Sequence, residues 1–166
     1  YLTYQLSTYS GFDPLMTLLL IVPLFFVLGA GLHWVLARFK VNPFNSMLVT
    51  FGVTVIIEAL LQWIWTADYR KLESSYSEHK AKIGSLYFPL PEMITLVLGV
   101  SIAVGVWFAL RRTDLGKAMR AAAEDAPIAA AFGVNQKALA LMLSGLNAAL
   151  AGVAGVCLAL TYTLAP

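Results

Sequence analysis

Eighteen consecutive residues, "MITLVLGVSIAVGVWFAL" (Met93 to Leu110), carry no charged side chain. A helix crossing the hydrocarbon core of a bilayer needs about 20 apolar residues. Three further stretches meet or approach that length: "PLMTLLLIVPLFFVLGAGLHWVLA" (Pro14 to Ala37), "SMLVTFGVTVIIEALLQWIW" (Ser46 to Trp65) and "ALALMLSGLNAALAGVAGVCLALTYTL" (Ala138 to Leu164). Four such runs leave little chain for anything else. Inside lipid every backbone polar group must be satisfied within its own segment, so the runs are expected to be helices, with Pro23 tolerable inside the first. The fold class this predicts is all-α: a polytopic membrane helical bundle of about four transmembrane helices. It forms one domain over residues 1–166, with spans at 14–37, 46–65, 93–110 and 138–164.

Composition agrees. The 166 residues are 60% hydrophobic and 12% charged, with a mean hydropathy of +0.77, whereas soluble domains run near 25% charged. Trp34, Trp63, Trp65, Trp107, Tyr87 and Tyr162 stand near the ends of the runs, where amphipathic rings favour the headgroup level. A single cysteine, Cys157, leaves no disulfide framework, and His33 and His79 are far apart in sequence, so no metal site or catalytic cluster is expected. The opening "YLTYQLSTYSGFDP" has no basic segment leading into an apolar core, unlike a signal peptide. Both ends read as cuts through a longer protein.

Basic residues set the orientation. The connections 38–45 and 111–137 hold Arg38, Lys40, Arg111, Arg112, Lys117, Arg120 and Lys137 against Asp114, Glu124 and Asp125. The opposite set holds Arg70, Lys71, Lys80 and Lys82 against Asp13, Asp68, Glu73, Glu78 and Glu92. The first side is therefore expected to be cytoplasmic, with 66–91 an outer loop whose second half, "KIGSLYFPLP", suits a short hairpin or a re-entry lip.

Two spans carry polar or small residues in a pattern. Ser46, Thr50, Thr54, Glu58 and Gln62 recur every four residues, which on a helix draws one slowly winding stripe. A carboxylate in mid-membrane costs about 2.5–3.5 kcal/mol on insertion scales and is expected to face a bundle interior or a watery path. A substrate-facing lining and a buried helix contact both satisfy that constraint. In the last span, Ser144, Gly145, Asn147, Ala148, Ala151, Gly152 and Gly155 fall on one half of the wheel, opposite Met142, Leu143, Leu146, Leu150, Val153 and Cys157. Ser144, Ala148, Gly152 and Gly155 suit close helix packing. Asn147, at the edge of that face, is a candidate for substrate contact or for a bridge between helices.

The connection 111–137 is unlike a simple polar turn. "RRTDLGKAMRAAAEDAPIAAAFGVN" offers Thr113 or Asp114 as an N-cap and a helical run through Ala123. Asp125 can cap a second short helix with Pro127 in its first turn and Gly133 as its left-handed stop. Ile128, Ala131 and Phe132 would share one side of it. Such an alanine-surfaced elbow suits docking into a groove on a partner; an amphipathic helix on headgroups is the competing reading, disfavoured by Glu124 and Asp125.

"LGKAMRAAAEDAPIAAAFGVN" followed by "LSGLNAALAGVAGVCLA" resembles the loop and following helix of branched-chain amino acid ABC transporter permeases of the Liv type. The shared pattern runs G-(K/R)-A-x-R-A-x-A-(E/D)-D, then alanines, G-(I/V)-N and A-x-A-G-V-A-G. Here it is met by Gly116, Lys117, Ala118, Arg120, Ala121, Ala123, Glu124, Asp125, Gly133, Val134, Asn135 and the run from Ala151 to Gly155. The likeness extends loosely from about Asn42 to Ala159. It implies that Ala121, Ala122, Ala123, Glu124, Asp125, Ile128, Ala131, Phe132 and Gly133 form a coupling helix that docks on an ATP-binding subunit. It also implies two such subunits binding ATP and Mg, a sister permease subunit, an extracytoplasmic solute-binding protein, and a bacterial or archaeal inner membrane. The chain lacks a G-x-x-x-x-G-K-[ST] phosphate loop of its own, so no cofactor and no enzymatic activity are expected in it, and no nucleic-acid partner. Thr50, Thr54, Glu58, Gln62 and Asn147 are the candidate substrate path. The rival reading is an ion- or proton-coupled secondary transporter or channel using Glu58; a structural subunit without transport activity is the third.

Overall fold

A computed structural model describes residues 2–10, 14–39, 42–65, 80–83 and 86–162. Four long helices are apolar enough to cross a membrane. They are α2 (Pro14–Arg38), α3 (Pro43–Trp65), α4 (Leu90–Arg112) and α7 (Gln136–Thr161), preceded by the short α1 (Leu2–Ser10). Between α4 and α7 lie α5 (Asp114–Glu124) and α6 (Ala126–Ala131). Two short strands, β1 (Lys80–Ile83) and β2 (Leu86–Pro89), pair antiparallel with Lys80 opposite Pro89 and Ile83 opposite Leu86. The protein is thus an all-α polytopic bundle with a small pair of strands. Strand β2 runs straight into α4, where Pro91 sits in the first turn, a position whose N–H would have no helical partner anyway.

Three helices start before their apolar runs, α3 three residues before Ser46, α4 three before Met93 and α7 two before Ala138, while α7 ends at Thr161 with Tyr162 as its C-cap, short of the expected Leu164. Caps explain part of this. The Asn135 side chain accepts the Ala138 N–H at 3.1 Å, so polar Gln136 and Lys137 are drawn into the first turn of α7. The amino-terminal segment, which shows no clear apolar periodicity, forms α1, whose Thr3 is buried.

Large apolar side chains point outward along the spans. Leu19 is 87% exposed, Trp63 81% and Phe51 70%, an arrangement suited to lipid rather than water as solvent. The buried set is small and lies chiefly where α2 packs on α7: Ile21 and Ala30 from one, Ala149, Val153, Val156 and Ala159 from the other. Backbones approach closely there. A Cβ on Gly29 would overlap that of Ala148 and lie 2.7 Å from the Ser144 carbonyl oxygen. One on Gly145 would meet the Phe26 ring at 2.8 Å, and one on Gly152 the Phe25 ring at 2.9 Å. Of the small residues expected on one face of α7, Ser144, Gly145, Ala148 and Gly152 lie at the contact with α2, where Phe25 and Phe26 fill the space over Gly152 and Gly145. The edges of the face differ: Val153, from the opposite half of the wheel, is buried, whereas Asn147, Ala151 and Gly155 are exposed, and a Cβ on Gly155 would meet nothing within 4 Å.

Helix α3 stands apart, with no extensive contact to any other element among the described residues. Most of its described surface is exposed.

Gly29→Ala should lower thermal stability in detergent by about 1–3 kcal/mol, the range for overpacking. Gly31→Ala, where a Cβ would meet nothing within 4 Å, should be neutral or slightly stabilising through helix propensity. Paired melting curves on the two variants check this; equal melting temperatures would contradict the close approach.

Candidate functional site: the elbow between α4 and α7

The chain turns off α4 at Thr113, which serves both helices. Its hydroxyl donates to the Ala109 carbonyl, and the same oxygen accepts the Gly116 N–H at 3.2 Å as the N-cap of α5. Asp114 therefore belongs to the first turn, where its carboxylate favours the helix dipole and pairs with Lys117 at 2.9 Å. The hydrogen bond and charge of Lys117 hold the Asp114 carboxyl below the usual carboxylate range. Both side chains are exposed, so this pair is worth little to stability.

The turn is tight because residue 116 has no side chain. Gly116 is buried, and a Cβ there would overlap the Leu110 carbonyl oxygen and stand 2.5 Å from the Leu110 Cα. Only glycine lets α5 fold back this closely on the last turn of α4. The available signal was the glycine itself, one turn after a charged helix end.

Asp125 makes the break between α5 and α6. Its backbone is extended (φ −151°, ψ 101°), its N–H closes α5 by donating to the Ala121 carbonyl, and its carboxylate accepts the Ile128 N–H at 3.0 Å. Pro127, lacking an N–H, costs nothing in the first turn of α6. At the other end Val134 N–H donates to the Ala129 carbonyl and Gly133 N–H to that of Ala130. This is a Schellman stop with Gly133 at φ +88°. The expected elbow of two capped helices is therefore present, with Thr113 rather than Asp114 as the first cap.

Gln136 ties the elbow to the next span. Its side-chain amide donates to the Ala126 carbonyl oxygen, joining the first residue of α6 to the first residue of α7. Ala129 is buried, while Ala121, Ala123, Glu124, Ala131 and Gly133 are exposed, with Ala122 half-buried. Ile128 is 56% exposed and Phe132 86%. The face carrying Ile128, Ala131 and Phe132 is thus uncovered.

The α3 stripe is a different matter. Thr50 and Thr54 spend their hydroxyls on their own helix, donating to the Met47 and Thr50 carbonyls at 3.0 Å each. Ser46 and Thr50 are half-buried; Thr54, Glu58 and Gln62 are exposed. Asn147 is exposed on α7, and α3 and α7 are not packed together, so the five candidate path residues do not form one lining among the described residues. No group of three metal-ligating side chains gathers among the described residues either.

Four helices long and apolar enough to cross a membrane, with a capped elbow between the third and the fourth, define a multi-pass membrane protein. The chain belongs to the family described as "Branched-chain amino acid transport system / permease component", whose model matches residues 1–166. No curated protein and no solved structure matches it.

Asp125→Ala should remove the cap of α6 at a cost of about 1 kcal/mol, which is about fivefold faster hydrogen exchange at the Ile128 amide. Exchange mass spectrometry on the segment 125–134 reads this directly, and unchanged protection would contradict the capping geometry. Lys117→Ala should raise the Asp114 titration toward the ordinary carboxylate range. Because the folded-state value is the lowered one, the small associated stability is present above the unfolded value and is lost as pH falls through the folded one.

Proposed function

We propose that this chain is the transmembrane permease subunit of an ATP-binding cassette importer for branched-chain or related small amino acids. The observation that carries the mechanism is the elbow: two helices with their backbone ends closed, tied by Gln136 to α7 and presenting Ile128, Ala131 and Phe132 outward. Family membership supports the transport role.

In this reading the elbow side faces the cytoplasm of a bacterial or archaeal cell, as the excess of basic residues on that side favours. Residues Ala121 to Gly133 dock on one of two ATP-binding subunits, which bind ATP and Mg; this chain binds neither. Small alanine faces permit close approach, and the Phe132 ring supplies an apolar anchor for a groove. Closure of the ATPase pair pushes the elbow, which moves with α7 and, through the α7–α2 contact, rocks the bundle between outward- and inward-open states. An extracytoplasmic solute-binding protein delivers substrate on the opposite face, and a sister permease subunit completes the path. Thr50, Thr54, Glu58 and Gln62 of α3, together with Asn147 of α7, contribute its polar lining from this chain. The exposure of Thr54, Glu58, Gln62 and Asn147 fits a stripe completed by another surface, since a carboxylate such as Glu58 is costly against lipid.

Ala131→Arg, placing a long cation on the exposed elbow face, should leave membrane insertion intact and abolish co-purification of the ATP-binding subunit, with ATP-dependent uptake falling at least tenfold, as expected for loss of a central interface anchor. Undiminished pull-down, or uptake that follows the proton gradient in the absence of ATP, would overturn the reading.

A further inference from the structure

Where the elbow-side ends of α2 and α7 converge, a cavity of about 430 Å³ opens between them. From α2 it is lined by His33, Trp34 and Arg38, and from α7 by Gln136, Lys137 and Leu141 among others. Arg38 lies in the last turn of its helix and Lys137 in the first turn of the other. Two long cations therefore flank one opening. None of its lining residues is acidic, and neither cation has an ion-pair partner among the described residues, where the one pair is Lys117–Asp114. The amino-terminal end of α7 adds partial positive charge to the same opening. The wall itself is mostly apolar, and Trp34, 59% exposed, marks the level at which indole rings favour the membrane interface.

We propose that this cavity binds the headgroup of an anionic phospholipid from the leaflet on the elbow side. Arg38 and Lys137 hold the phosphate between them as charge-assisted donors. His33, five residues back along α2 and so about 7 Å deeper, faces the glycerol level, and Leu141 meets the beginning of an acyl chain. A soluble anion would match the cations but not the apolar wall; a neutral lipid would match the wall but leave both charges uncompensated. Basic pockets between membrane helices take anionic headgroups on these grounds. A seated lipid also touches Gln136, whose amide holds the first residue of α6, so lipid occupancy bears on the order of the elbow.

The test uses the full chain in detergent, delipidated and then offered phosphatidylglycerol or phosphatidylcholine, with retained lipid counted by native mass spectrometry. Wild type should retain phosphatidylglycerol in preference, and Arg38→Gln with Lys137→Gln should weaken that retention about 25-fold, the loss expected for two basic residues near a membrane surface. Arg38→Lys with Lys137→Arg should keep it. Inorganic phosphate should not displace the lipid; displacement would overturn the assignment in favour of a free-anion site. A second measurement needs no variant. Phosphatidylglycerol bearing a photoreactive acyl chain should label peptides containing residues 33–38 and 136–141 above all others. Even labelling along the spans, or retention indifferent to both cations as when another protein surface fills the cavity, would overturn the proposal. Neither readout involves an ATP-binding subunit, so this site and the docking of the elbow fail or stand separately.

Discussion

In lipid, apolar side chains gain nothing by leaving the solvent for one another, so helices associate by close contact of backbones and by dispersion. The contact between α2 and α7 is built on that constraint. Gly29, Gly145 and Gly152 remove side chains where Ala148, Phe26 and Phe25 must fit, and Ile21 and Val156 become the largest fully buried side chains of the chain's described part. With α7 fixed against α2, its first turn has a defined place, and everything hung on that turn inherits it. The elbow is hung there. Gln136 holds α6 directly, and Asn135 caps α7 immediately after the Val134 and Gly133 hydrogen bonds that end α6.

The elbow illustrates how short helices gain rigidity without a large core. A six-residue helix is far too short to persist by propensity. Here its ends are closed by Asp125 at one side and the Schellman pair at the other, each such cap worth about 1 kcal/mol. The buried Ala129 gives it a footing, and Gly116 folds α5 against the end of α4. Force applied to the exposed Ile128–Phe132 side meets a piece that is joined to a span at both ends. Alanine elsewhere on the surface keeps it narrow, which suits the proposed seating in a groove.

Much of this was legible in the sequence because lipid imposes simple rules. Length and lack of charge marked the four spans, and Asp125, Pro127 and Gly133 marked the second elbow helix, since caps and stops act locally. The pairing of β1 with β2 was legible as one of two options from Gly84 and the alternation around it. What escaped depends on partners. The face of α7 was legible at Ser144, Gly145, Ala148 and Gly152 but not at its edges, Gly155 and Val153, because small residues alone do not say how far the neighbouring side chains reach. Gly116 was seen as part of a family pattern but not as a steric necessity, which only the path of α4 reveals. The α3 stripe was legible as a stripe, while its proposed lining role depends on surfaces that the described residues do not bring to α3. The approach of Arg38 to Lys137, 99 positions apart in sequence, follows only from the packing of α2 on α7.

In the proposed mechanism the elbow and α7 move as one body. Spin labels at Ala130→Cys, exposed and turned away from the Ile128–Phe132 face, and at Ala151→Cys, also exposed, in a Cys157→Ala background report their separation by pulsed electron resonance in the complex with the proposed ATP-binding subunits. One narrow distance distribution is expected, the same with and without hydrolysable nucleotide, while distances from residue 130 to a label on the proposed ATP-binding subunit change. A separation of residues 130 and 151 that shifts or broadens between nucleotide states would mean that the elbow slides on the bundle, and would contradict the proposed coupling.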